Sequence, residues 1–167
     1  MAARYSNRAS SLEKFFPNVV LGFNDALISL TGALAGFFVA LREPNVIAVA
    51  GLITGISAAL SMAASAYQQA RHERRREALK AALVTGVSYL AVALLLTAPF
   101  MACDDITIAL TATVFVAVAL VAVVAFYSSR LLGRRYSVQF FEMCAFSLGI
   151  AILTFFIGEA LDEYISS

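Results

Sequence analysis

The 167-residue sequence has no tryptophan, one histidine, two cysteines and three prolines, and only 14% of its residues are charged. Each scarcity closes off a class of function. A structural zinc site needs four clustered nitrogen or sulfur ligands, and Cys103, Cys144 and His72 stand alone along the chain. The two cysteines fall near opposite ends of different apolar segments, so a disulfide between them is not expected. No nucleophile–base pair stands out, and neither GxGxxG nor GxxxxGK[ST] occurs, which leaves no phosphate-cradling glycine loop. An enzyme is therefore not expected. The basic residues flank apolar segments, where membrane topology explains them, so nucleic-acid binding is not expected either.

What fills the chain instead is hydrocarbon. Hydrophobic residues make up 61% of it and the mean hydropathy is +0.84, whereas soluble domains sit near about 45–50% apolar and about 25% charged. The expected class is an all-α integral membrane protein. Five stretches, 18–41, 46–66, 81–101, 106–127 and 139–160, are each long enough to cross about 30 Å of hydrocarbon at about 1.5 Å per residue. They form one transmembrane domain over 18–167, preceded by a polar, basic segment over 1–17. That segment carries Arg4, Arg8, Glu13 and Lys14 and lacks an apolar run, so it does not read as a cleavable signal.

Lysine and arginine accumulate on the cytoplasmic side of membrane proteins. Eleven of the twelve basic residues here lie in the first segment, after the second span or after the fourth; only Arg42 lies on the other side. Asp104, Asp105, Asp162 and Glu163 also fall on that other side. The pattern predicts N-terminus in and C-terminus out.

Asp25 is the anomaly. It sits about a turn and a half inside the first span, where an uncompensated Asp at mid-membrane costs roughly 2.5–3.5 kcal/mol. No Lys or Arg lies inside any span to pair with it. Two readings stay open: a structural carboxyl hydrogen-bonded across helices, or a group lining an ion or proton pathway. Helical spacing puts Gly22, Ser29, Gly32 and Gly36 on its stripe, and groups Met62 with Gly51, Gly55, Ala58 and Ala66 on the second span. Gly32/Gly36 and Gly51/Gly55 are GxxxG pairs, which let helix backbones approach in lipid. These five glycines are expected to serve packing. A carboxylate oxygen beside a soft thioether suits a first-row transition metal better than Ca²⁺ or Mg²⁺. Ser29, Thr31, Thr54 and Ser57 are candidate hydroxyl donors, and Glu142, about one turn into the fifth span, is a secondary pathway candidate.

The stretches Gly22-Phe23-Asn24-Asp25-Ala26-Leu27 and Ser61-Met62-Ala63-Ala64-Ser65-Ala66-Tyr67 resemble motifs of the vacuolar iron transporter (VIT/CCC) family, G-(L/F)-x-D-(G/A)-L and S-M-(G/A)-x-x-x-Y. Gly149 to Gly158 is also similar to that family's last helix. The resemblance implies a homodimer joined through its first two spans that exports Fe²⁺ or Mn²⁺ from the cytosol in exchange for protons. Asp25 and Met62 would line the path. No cofactor is implied; the metal is cargo. The chain departs from the family pattern in three places. Thr54 stands where iron-transporting members often carry Glu, and Ala66 where many carry Glu. The Glu- and Met-rich cytoplasmic domain that metal-handling members insert after the second span is replaced by a short basic connection. A non-transporting five-helix scaffold or partner subunit is the alternative.

Overall fold

The computed structural model describes residues 11–74, 76–133 and 135–166. Among them the chain forms five helices: α1 (Ser11–Leu41), α2 (Pro44–His72), α3 (Ala78–Ala102), α4 (Ile106–Leu132) and α5 (Tyr136–Ser166). Each contains a stretch long and apolar enough to cross a membrane. Helices are the local solution because a backbone in lipid has no water to bond and must satisfy itself within the segment. The molecule is a multi-pass membrane protein with the expected five spans.

The helices outrun the spans read from hydropathy. α1 begins at Ser11 and takes in Pro17, α2 continues through Arg71 to His72, and α5 runs through Asp162 and Glu163. Polar residues at helix ends carry the helix beyond the hydrocarbon, and a hydropathy boundary does not mark where hydrogen bonding stops. Residues 1–10, Arg75 and Arg134, which belong to the basic segments of the sequence, lie outside the described residues.

The turns are short and have identifiable chemistry. Arg42 takes a left-handed conformation (φ 53°) just past α1, and Pro44 opens α2 at a position where its missing N–H costs nothing. The carboxylate of Asp105 caps α4 by accepting from the backbone N–H of Thr107 at 2.8 Å and of Ile108 at 3.0 Å. Gly133 ends α4 in the left-handed region (φ 67°).

Small residues set the helix packing. α2 lies antiparallel against α3: a Cβ on Gly51 would meet Thr97, one on Gly55 would meet Ala93, and one on Gly86 would meet Ala63. α1 runs parallel to α5, with Gly32 against Ile150 and Thr154 and Gly36 against Thr154 and Gly158. Thr154 Oγ1 donates to the Gly32 carbonyl at 2.6 Å across this contact. Gly22 packs on the α3 backbone at Thr85. α1 is thus the hub, and its Ala26, Leu27, Leu30 and Leu34 form the core together with Tyr89, Val92, Leu96 and Phe100 of α3.

At one end of the bundle the Arg42 guanidinium pairs with the carboxylate of Asp162, tying the α1–α2 turn to the end of α5. The opposite end carries the α2–α3 and α4–α5 turns, with Arg71, Arg74, Arg76, Arg130 and Arg135 exposed.

Candidate functional site

The glycines expected to share a face with Asp25 do pack helices, but against α3 and α5 of the same chain. Asp25 itself is exposed on the outside of the bundle, as is Ser29 one turn further on. The stripe therefore divides: its glycines are consumed in packing within the chain, while its carboxylate is left at the rim. Among the described residues no lysine or arginine is paired with Asp25; Arg42 pairs with Asp162 and Lys80 with Glu77.

Asp25 is nonetheless attached to the interior. Ser29 Oγ donates to the Asp25 backbone carbonyl at 2.7 Å and shares a 2.8 Å hydroxyl–hydroxyl bond with Tyr89. Tyr89, from α3, is 1% exposed and stands in the core cluster. One turn before Tyr89 on α3, Thr85 Oγ1 accepts from Asn18 at 3.2 Å and donates to the Ala81 carbonyl at 2.9 Å. These α1–α3 polar contacts fix the rotation of α1 and thereby the direction in which Asp25 projects.

Tyr89 is the residue that sequence reasoning passed over. Its signal was visible: tyrosines of membrane helices favour the two interfaces, whereas this one lies midway along α3, where a buried hydroxyl demands a partner.

Met62 is half-buried and packs against the core cluster. Its level in the bundle follows from the antiparallel register of α1 and α2. A Cβ on Gly51 would meet Leu34, one on Gly55 would meet Leu30, and Leu21 lines a cleft with Ala66. The same progression sets residue 25 opposite residue 62. Thr54 is half-buried and Ser57 exposed on α2, and no hydrogen bond joins either to Asp25. Thr31 projects elsewhere, into a cleft shared with α4 and α5. Glu142 is exposed in the second turn of α5 and lines a cleft with Arg135 and Gln139.

Among the described residues no three His, Cys, Asp or Glu side chains gather into a metal-holding group. The chain therefore offers at Asp25 a single carboxylate and, at the same level, a single thioether.

These features define a five-helix membrane protein with an ionisable rim on its first helix. Residues 16–79 match the model of the VIT family, the segment that holds both motifs, Asp25 and Met62, and the chain is consistent with a member of the VIT/CCC family. The match points to membrane transport of a metal or other ion and away from catalysis. No curated protein matches the chain.

Proposed function

We propose that the protein is a divalent transition-metal transporter that exports Fe²⁺ or Mn²⁺ from the cytosol in exchange for protons, working as a homodimer through α1 and α2. The observation that supports this best is the exposed carboxylate of Asp25 within the first apolar span, with no basic partner among the described residues. A charge facing hydrocarbon is costly unless a cavity, a partner or an ion receives it. A second copy set against the α1–α2 face supplies a cavity and a second carboxylate, and the cargo ion supplies the opposite charge. Two carboxylates and two thioethers then converge, and a first-row metal ion finds both hard and soft donors.

The exchange follows from the carboxylates. An ionised Asp25 pair binds metal, and a protonated pair releases it, so protons entering from the far side discharge the cargo. Ser29, held by Tyr89, stations its hydroxyl beside the Asp25 backbone. The basic ends of the bundle lie on the cytoplasmic side in this reading.

The test is metal-stimulated flux in proteoliposomes, comparing Fe²⁺, Mn²⁺, Co²⁺ and Zn²⁺. Wild type moves metal with counter-movement of protons, and Asp25→Asn does not. Unchanged flux in Asp25→Asn would end this reading.

One observation favours a second reading. Between His72 and Ala78 there is only a short turn, and its exposed residues include Arg74 and Arg76. Positive charge at an entrance disperses cations. A non-transporting scaffold predicts that wild-type vesicles carry no metal flux, and that Asp25→Leu raises stability in detergent.

A further inference from the structure

The clefts beside α4 are walled by hydrocarbon: Val19, Phe23 and Val124 line one, and Ala117, Val121 and Leu148 another. A cleft between α1 and α2 at the basic end of the bundle differs. It holds about 90 Å³ and takes Asn18, Gln69 and Glu73 into its walls beside Pro17, Leu21 and Ala66. Gln69 and Glu73 are exposed and Asn18 is half-buried, so a molecule outside the bundle reaches them.

Hydrogen bonds fix which atoms these groups leave open. Thr85 Oγ1 commits its only proton to the Ala81 carbonyl at 2.9 Å, so it can only accept, and Asn18 turns its NH₂ to it at 3.2 Å. The Glu73 carboxylate also only accepts, and Gln69 turns its NH₂ to it at 3.0 Å. Both amides are thereby oriented, and the carbonyl oxygen is the open end of each. Together with the carboxylate, the cleft presents acceptor oxygens from three side chains. Its volume is that of about three waters at roughly 30 Å³ each, so the two walls stand close enough to share one small group.

The surroundings decide which group. An ammonium carries positive charge and three N–H donors. A free metal ion also suits oxygen acceptors, but Arg71, Arg74 and Arg76 are exposed at this end, and such a field disperses small cations. The same arginines attract an anion. A molecule that joins an ammonium to a phosphate by a short linker meets both demands, with its ammonium in the cleft and its phosphate toward the arginines. The depth agrees. Asn18 lies near the start of the first span (Phe15–Leu41) and Glu73 directly after the second (Pro44–His72), which is the level of lipid headgroups. Leu21, 44% exposed, carries the wall on toward the hydrocarbon.

We propose that the α1–α2 cleft at the basic end binds the headgroup of a phospholipid with a primary ammonium, phosphatidylethanolamine in kind, held through that ammonium by Asn18, Gln69 and Glu73. A trimethylammonium headgroup has no N–H to give and is refused. The site is separate from Asp25 and does not depend on the transport reading.

The probes are dioleoyl phosphatidylethanolamine and dioleoyl phosphatidylcholine, which differ only in the methyl groups on nitrogen, added to the full chain in maltoside detergent. Native mass spectrometry should show one ethanolamine lipid retained per chain, preferred about tenfold over the choline lipid, as loss of one charge-assisted hydrogen bond implies. Carbodiimide, which couples a primary amine to a carboxylate beside it, should attach the lipid to Glu73 in preference to Glu142, which is also exposed. Glu73→Gln and Gln69→Leu should lose the preference, while Glu77→Gln, outside the cleft and bonded to Lys80, keeps it. Equal retention of the two lipids by wild type, or coupling that does not favour Glu73, overturns the proposal. Both readings use wild type alone, so they decide the matter even where a variant fails to fold. Water-soluble phosphoethanolamine that blocks the coupling at the lipid's own concentration would overturn the lipid as its source.

Discussion

The Asp25 backbone and a buried phenol meet through the Ser29 hydroxyl, and the three residues behave differently when changed. Asp25→Asn keeps shape and hydrogen-bonding capacity but removes the charge. Under the transport reading it should abolish metal-driven proton movement while leaving the folded fraction in detergent unchanged. The same carboxylate sets a pH dependence. Metal binds the ionised form and competes with protons, so half-saturating metal concentration should fall as pH rises on the loading side; a flat response in wild type would count against Asp25 as the exchanging group. Tyr89→Phe removes only the hydroxyl that bonds Ser29 at 2.8 Å. A net hydrogen bond is worth about 0.5–1.5 kcal/mol, so the variant should fold with a modest loss of stability. If that bond orients α1 for transport, flux falls several-fold without vanishing and Ser29→Ala reproduces the loss; unchanged flux in both would reduce Tyr89 to a packing residue.

At the scale of helices, glycine spacing decides which faces can touch, and two glycines of α5 make a controlled comparison. A Cβ on Gly158 would lie 2.7 Å from the Gly36 carbonyl oxygen, and backbone cannot swing aside, whereas one on Gly149 would meet nothing within 4 Å. Gly158→Ala should therefore destabilise the α1–α5 pair, by about 1–3 kcal/mol as overpacked sites do. Gly149→Ala should be neutral or stabilising, since alanine outranks glycine in helices by about 1 kcal/mol. Thermal denaturation of the two variants in one detergent checks the sign of each. The same glycines mark how far the sequence could be read. Five spans and their order were legible because apolar length is a property of one segment at a time. The packing role of Gly22, Gly32, Gly36, Gly51 and Gly55 was legible from their spacing. Their partners were not: a GxxxG pair reads the same whether the helix beside it belongs to the same chain or to another. Hence the sequence could pool Asp25 with the glycines on one stripe, while the fold assigns the glycines to α3 and α5 and leaves the carboxylate outside. Thr31 is a candidate hydroxyl only by its nearness in sequence; six residues on from Asp25 it stands about 120° round the helix, and the fold turns it to the cleft with α4 and α5.

For the whole molecule, the governing asymmetry is between the two ends and between the faces of α1. The basic turns lie at one end and the Arg42–Asp162 pair at the other. That pair is exposed on the arginine side, and surface ion pairs contribute about 0–1 kcal/mol, so Arg42 is explained more by the turn it closes than by energy. The α1–α2 side carries a different burden, since Asp25 projects from it and Val49, Ile53, Ile56 and Leu60 of α2 are exposed there or close by on the same helix. An apolar face is at home in lipid; a carboxylate is not. If two copies meet through this side, a cysteine at position 25 should find its symmetry mate. In a background of Cys103→Ser and Cys144→Ser, Asp25→Cys in native membranes should form a disulfide-linked dimer on mild oxidation. A cysteine placed at Phe156, 60% exposed on α5, should remain monomeric under the same conditions. Because a twofold axis brings identical residues together only near the axis itself, efficient cross-linking at 25 with none at 156 assigns the interface to α1 and α2. The reverse pattern would move the dimer to α5, leave Asp25 facing lipid in the assembly, and remove the second set of ligands on which metal transport depends.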